Sequence, residues 1–152
     1  MIKYKVFSTP AGWIKLIEDQ GFLVKLELLN DREEGGQESI LLEETEKQLS
    51  AYFRGERKSF DLPLKFHGTD FQEKVWKVLQ TIPYGQTRSY KQVAEAIGNE
   101  KASRAVGGAN NKNPLPILVP CHRVVGSNGA MVGYGLGLPV KKQLLALEGI
   151  EL

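Results

Sequence analysis

Cysteine is almost absent from this chain: Cys121 is the only thiol in 152 residues. One thiol cannot form an internal disulfide or a four-thiolate zinc site. Histidine is nearly as scarce, with only His67 and His122, so no metal is expected. Long apolar runs are missing too. None approaches the roughly 20 residues that a membrane-spanning helix needs. The N-terminal stretch Met1-Ile2-Lys3-Tyr4-Lys5 alternates like a strand and lacks the apolar block of a secretory signal. The expected compartment is the reducing cytoplasm, where a free thiol stays usable. There is no internal repeat and no low-complexity tract.

What remains is an ordinary globular composition, 41% hydrophobic and 25% charged, long enough for one domain or two small lobes. The net charge of +2 hides an asymmetry. Residues 1–70 carry 10 basic and 13 acidic side chains; residues 71–152 carry 10 and 5. The basic surplus lies in the half that holds Cys121. A polyanion-binding face and a merely solvated surface both fit such a distribution.

The periodicity predicts an α+β chain. Ile2–Ser8, Gly12–Glu18 and Phe22–Leu29 read as strands separated by turn residues, an antiparallel meander. Asn30–Gln37 reads as an exposed loop. Ile40, Leu41, Leu42, Thr45, Leu49, Tyr52 and Phe53 form a helical stripe stopped by Gly55, and Phe60–Phe66 is extended around Pro63. A boundary at His67-Gly68-Thr69 gives lobes of 1–67 and 68–152. In the second, Thr69 and Gln72 form a capping box for a helix over Asp70–Ile82. Ser89–Ile97 and Lys101–Asn110 read as two more helices around a tight glycine-bearing turn, the spacing of a helix-turn-helix. Ser127-Asn128-Gly129 reads as a hairpin turn and Gly133–Gly137 as a flexible loop. Pro139 opens a final helix running through Glu148.

Two segments carry chemistry. Lys101–Asn110 has almost no bulk outside Arg104, and its glycines Gly107 and Gly108 each cost about 1 kcal/mol against alanine inside a helix. Close approach to another backbone, or a helix lying in a DNA groove, would account for them. The flanking Arg88, Lys91, Lys101, Arg104 and Lys112 favour DNA, whose binding draws on cations. The other segment is Pro120-Cys121-His122-Arg123. Only a thiolate attacks, and neighbouring cations or a base favour it. On a strand Cys121 and His122 would face opposite ways, so cooperation needs a turn or a bridging water. Glu148 sits at a helix C-terminus, where the dipole disfavours a carboxylate. It is either solvated or held by a partner, and with Cys121 and His122 it would complete nucleophile, base and orienter.

The run Pro116-Ile117-Leu118-Val119-Pro120-Cys121-His122-Arg123-Val124-Val125 closely resembles the active-site signature of the O6-alkylguanine-DNA alkyltransferases, or methylated-DNA–protein-cysteine methyltransferases. The resemblance spans roughly residues 70–149 and includes Ile82-Pro83-Tyr84-Gly85, Ser89-Tyr90, Ser103–Gly107, Asn113-Pro114 and Leu144–Gly149. It implies a ribonuclease H-like N-terminal lobe and a C-terminal lobe that flips O6-alkylguanine out of double-stranded DNA. The alkyl group then passes once and irreversibly to Cys121, with no cofactor. On the same resemblance His122, acting through a water and held by Glu148, is the deprotonating relay, and Asn113 fixes the active-site turn. Tyr90 and Lys141 stabilise the departing guanine, and Arg104 fills the gap left by the flipped base. Ala102, Ser103, Gly107, Tyr90 and Arg123 are implied DNA contacts. Pro116, Val119, Tyr134, Gly135 and Leu136 are implied pocket positions. Leu136 stands where many members carry glycine, which should narrow the pocket against bulky adducts. A monomer is expected.

Three other readings compete. A binding-only sensor of the same fold would lack the acceptor that Cys121 supplies. A helix-turn-helix regulator leaves Cys121, His122 and Glu148 unexplained. A cysteine hydrolase leaves the glycine-rich helix unexplained.

Overall fold

The computed structural model describes residues 1–33, 35–127, 129 and 134–151. The chain divides into two compact units, Met1–Phe66 and His67–Leu152, one residue before the expected boundary.

The N-terminal unit is a three-stranded antiparallel sheet with one helix against it. Strands β1 (Ile2–Thr9), β2 (Gly12–Asp19) and β3 (Phe22–Leu29) follow in the order β1-β2-β3. The β2–β3 connection is Gln20-Gly21, with φ of 50° and 83°. Two consecutive positive φ values are those of the tight hairpin turn that matches strand twist, and glycine makes the second one easy. The extended 60–66 segment adds a parallel bridge between Leu64 and Leu23. Pro63 cannot donate there, but its carbonyl accepts from Leu23 N at 2.9 Å. Helix α1 (Ile40–Phe53) starts at Ser39, whose side chain accepts from Leu42 N. It buries Leu42, Leu49 and Tyr52 over Phe7, Ile14, Leu16, Leu23 and Leu26. Ile40, counted in the apolar stripe, is instead 90% exposed. It occupies the first helical position, ahead of the turn that reaches the sheet.

The C-terminal unit is mostly helical. Helix α2 (Asp70–Leu79) carries both halves of the Thr69/Gln72 capping box and buries Val75, Trp76 and Leu79. It stops three residues before the expected Ile82, and the chain turns on with Thr81 N donating to Val78 O and Ile82 N to Leu79 O. Strand β4 (Arg88–Ser89) runs directly into α3 (Tyr90–Ala96), where Ser89 and Gln92 form a second capping box. Helix α4 (Ser103–Asn111) begins two residues later than expected, with Ala102 as an N-cap that makes no side-chain hydrogen bond. Helices α3 and α4 pack on each other and on α2, burying Val93, Ala94, Val106 and Ala109. After a loop and a 3-10 turn, β5 (Val124–Val125) pairs in parallel with β4, a two-residue match too short to leave a sequence pattern. Helix α5 (Leu138–Leu147) has Pro139 in its first turn, and Glu148 is its C-cap rather than its last residue. The hairpin expected at 127–129 and the loop expected at 133–137 include Asn128 and Gly133, which lie outside the described residues. No helix among the described residues is long and apolar enough to cross a membrane.

Candidate active site

The segment between α4 and β5 is held by its own side chains. Asn113 Nδ2 donates to Val119 O at 2.8 Å, while Leu115 N donates to Asn113 Oδ1 at 2.9 Å. Val119 N donates to Leu115 O, and Cys121 N donates to Val119 O, both at 2.8 Å. The latter bond spans Pro120, at φ −79° and ψ 64°, an inverse γ-turn that aims the chain into the 3-10 turn Cys121–Arg123. Ile117 pays for this path with φ 75°, a left-handed conformation that a β-branched residue rarely adopts. Asn110, on the buried side of α4, donates through Nδ2 to Cys121 O at 3.3 Å. Asn110 thus ties the Cys121 carbonyl to α4, and Asn113, just past the helix, ties the carbonyl of Val119. Asn113 was expected. Asn110 was not, although it continues the buried spacing of Val106 and Ala109.

Cys121 is 2% exposed. Burial pushes its thiol up from 9.0 to about 11, against the pull of hydrogen bonds from Asn113 and Tyr134, the Lys141 charge and a backbone hydrogen bond. The sequence suggests a thiolate favoured by its neighbours, whereas the resting group at neutral pH is the thiol. Desolvation of the charged form outweighs every stabilising contact. A thiol held in this state would need a base before it could act as a nucleophile.

His122 is the candidate. It is fully buried, and Nε2 lies 2.7 Å from Glu148 Oε2. A carboxylate accepts, so Nε2 carries the proton and Nδ1 is left as an acceptor. Nδ1 has no hydrogen-bond partner among the described residues. Burial lowers the pKa of the ring, outweighing the opposing pull of Glu148, with Arg123 and Lys141 lowering it further. The imidazole is neutral at pH 7. It makes no hydrogen bond to Cys121.

Arg123 must be reassigned. Expected as a DNA contact, it is 6% exposed. Its Nε and Nη2 donate to the two oxygens of Glu148 at 2.8 and 3.0 Å, and Nη1 donates to Ile82 O at 2.7 Å. A buried guanidinium committed in this way cannot reach a phosphate. Tyr84 joins the group: its hydroxyl donates to Leu147 O at 3.3 Å and its ring lies 5.7 Å from the Arg123 guanidinium carbon. The carboxylate at the end of α5 thus has a partner, as its unfavourable position on the helix dipole requires.

The remaining expected residues fall into two groups. Near the thiol, Lys141 is fully buried with Nζ donating to Val124 O at 2.7 Å, and burial brings its pKa down to about 8. Tyr90 is half-buried, and its phenol is raised by burial and then by the Cys121 charge, so it stays protonated as a donor. Tyr134 is buried with its ring edge-on to His122 at 6.5 Å. Gly135 abuts α4, where a Cβ would meet Asn111 O at 3.0 Å. Leu136 is half-buried, and Pro116 and Val119 are buried.

The other group is on α4. Arg104, Ala105 and Gly108 are exposed, Ala102, Ser103 and Gly107 half-exposed. A Cβ at Gly107 would make only ordinary contact with Tyr90 at 3.8 Å, and one at Gly108 would meet nothing. Among the described residues, packing requires neither glycine, which weighs against the close-approach explanation. Among the described residues no group of His, Cys, Asp or Glu could hold a metal ion.

Residues 2–66 match the 6-O-methylguanine DNA methyltransferase, ribonuclease-like domain, and residues 70–150 the 6-O-methylguanine DNA methyltransferase, DNA binding domain. The chain is 47% identical to a methylated-DNA–protein-cysteine methyltransferase of Methanosarcina acetivorans, over 96% of this chain and 97% of that one. The crystal structure of the Mycobacterium tuberculosis O6-methylguanine methyltransferase superposes with a TM-score of 0.88 at 44% identity, covering 97% of this chain and 93% of that one. A structure of the M. tuberculosis protein in complex with DNA gives the same TM-score over 96% and 92%.

Proposed function

The chain belongs to the 6-O-methylguanine DNA methyltransferase family, and from that premise we propose that it repairs O6-alkylguanine in duplex DNA by moving the alkyl group onto Sγ of its own Cys121. The observation that carries the reading is a buried thiol two hydrogen-bonded asparagines deep, beside a neutral histidine whose Nδ1 is open and whose Nε2 is held by Glu148.

The chemistry follows from the resting state. Sulfur attacks the alkyl carbon in line, forming S–C as the C–O6 bond breaks and its electron pair leaves with the guanine. A thiol with a pKa near 11 must lose its proton as it attacks. His122 Nδ1 takes that proton through one bridging water, and Glu148 stabilises the imidazolium. The guanine leaves with less charge if Tyr90 donates to it and Lys141 supplies a nearby cation. It regains a proton in place of the alkyl group. The S-alkyl product is a thioether, a very poor leaving group for water, so each molecule acts once and needs no cofactor.

Access requires the base to leave the stack, and an alkylated guanine pairs poorly, which lowers that cost. The small, exposed face of α4 is suited to lie close to a DNA backbone, with Arg104 long enough to enter the vacated space. The protein would act as a monomer in a reducing compartment. The test is incubation with an O6-methylguanine duplex followed by intact and peptide mass measurement. One methyl on Cys121 per molecule, absent in Cys121→Ser, is expected. Binding without mass gain would instead select a sensor, and repeated turnover a hydrolase.

A further inference from the structure

Arg123 is buried, yet neither the nucleophile nor the base touches it. Its guanidinium fork spans both oxygens of Glu148 and is anchored in turn by the Ile82 carbonyl, at the turn that follows α2. Gly85 N adds a long 3.4 Å contact to Glu148 Oε1. Bidentate pairing fixes the plane of a carboxylate as well as its charge. That plane decides which oxygen meets His122.

We propose that Arg123 is a positioning residue for the acceptor chemistry, which holds Glu148 on Nε2 of His122, keeps the imidazole an Nδ1 base, and thereby sets the pH below which alkyl transfer stops. The proposal rests on the repair reading above. Without Arg123, the charge of Glu148 loses its only guanidinium partner in this cluster and bears more strongly on His122. The carboxylate then draws a second proton onto the ring, Nδ1 is occupied, and the base is lost. Other charges cannot substitute. On α5, Lys141 faces the same ring, but its Nζ is bound to Val124 O. Tyr134 meets the ring edge-on, Cys121 is a neutral thiol, and Tyr84 lies over the guanidinium with its hydroxyl on Leu147 O. The direction agrees with the cationic influence of Arg123 on the ring, which opposes that of Glu148.

The experiment compares single-turnover methyl transfer from an O6-methylguanine duplex by the parent, Arg123→Lys and Arg123→Met, from about pH 5 to about pH 9. Alongside it, the His122 ring is titrated by NMR. The chain has two histidines, His67 and His122, so a His67→Gln background isolates the His122 signals. Loss of a cation at this range should move the acid limb and the ring titration of Arg123→Met upward together by about one to three pH units. Arg123→Lys, which keeps the charge but loses the fork, should fall between. A slower reaction with an unmoved acid limb would reduce Arg123 to a structural prop and overturn the proposal, as would an unmoved His122 titration. If Arg123→Met does not fold, Arg123→Lys and the NMR titration carry the same test. If the parent gains no methyl, the repair reading fails, while the His122 titration still judges Arg123 by itself.

Discussion

Glu18 in the N-terminal unit and Glu148 in the C-terminal unit are buried alike, at 8% and 6% exposure. Their settings differ. Glu18 accepts from the hydroxyl of Ser39, the N-cap of α1, and so ties a strand to a helix start. In that unit Gln48 does similar work, its side chain donating to Asp61 O and accepting from Asp61 N. These are neutral partners making structural ties. Glu148 meets an arginine fork and a histidine, with a buried lysine and a buried thiol close by. Burying several ionisable groups together is expensive unless each is answered. The cost is concentrated in one unit, around the single thiol of the chain, and such clusters of perturbed ionisable groups are a signature of functional sites.

Removing the two carboxylates separately should break this comparison open. Glu148→Ala leaves Arg123 buried without its counter-charge, and should destabilise the protein by about 3–5 kcal/mol while stopping alkyl transfer. Glu18→Gln keeps an acceptor for Ser39 and should cost about 1 kcal/mol with transfer unchanged. Denaturant unfolding of the two variants measures both. Equal losses would mean that Glu148 is as plain a tie as Glu18.

The pH dependence of stability sharpens the same contrast. Burial lowers Lys141 from 10.5 to about 8, so the unfolded chain binds the extra proton between those values and stability rises with pH across them. Burial raises Cys121 from 9.0 to about 11, so there the folded chain keeps the proton and stability falls with pH. The parent should gain stability from about pH 8 to about pH 9 and then level off as the two oppose each other. Cys121→Ser removes the thiol's opposing effect and should keep gaining toward about pH 10. Thermal melts across that range would refute the assignment if both proteins level off together.

How much of this was legible depended on whether a feature leaves a local pattern. The strands at 2–9, 12–19 and 22–29 and the capped helices were readable, since turn residues and capping boxes act within a few positions. Ile40 misled because periodicity does not show where a helix first meets the sheet. Strands β4 and β5 were invisible, because a two-residue parallel pairing between residues 36 positions apart has no sequence period. Cys121, His122 and Glu148 could be nominated by their oddity, a lone thiol beside an ionisable pair and a carboxylate at the wrong end of a helix. The direction of the thiol's pKa could not, since burial overrules the neighbours. Arg123 reads as a DNA contact because it stands next to a cysteine in a basic half, while its partners, residues 82 and 148, lie far along the chain.

Helix α4 offers a smaller and cleaner break, because function and stability should separate there. Gly108 faces open space, so Gly108→Ala should stabilise the protein by about 1 kcal/mol through helix propensity alone. The added methyl sits on the face proposed to approach DNA, so affinity for duplex should fall. A stabilised variant with undiminished affinity would move the DNA face elsewhere. Arg104 is exposed, and its guanidinium has no partner among the described residues. Arg104→Ala should change stability by less than about 0.5 kcal/mol. It should slow transfer from duplex more than from a free O6-methylguanine base, since only the duplex has a space to fill.

The smallest expected effect concerns selectivity. Leu136 is half-buried in the turn after Tyr134, between Gly135, pressed against the end of α4, and Gly137, the N-cap of α5. With both neighbours constrained by backbone contacts or caps, Leu136 is the position of that turn with bulk to lend to a pocket wall. If it forms that wall, a branched side chain there should leave room for a methyl and crowd a ring. The parent should therefore take O6-methyl readily and O6-benzyl slowly. Leu136→Gly should raise the benzyl rate roughly tenfold and leave the methyl rate nearly unchanged, the scale on which apolar pockets discriminate by size. Competition between the two adducts in one reaction reads the ratio directly. A ratio that does not move would take Leu136 out of the wall and assign adduct size to the buried side, where Pro116 and Val119 sit.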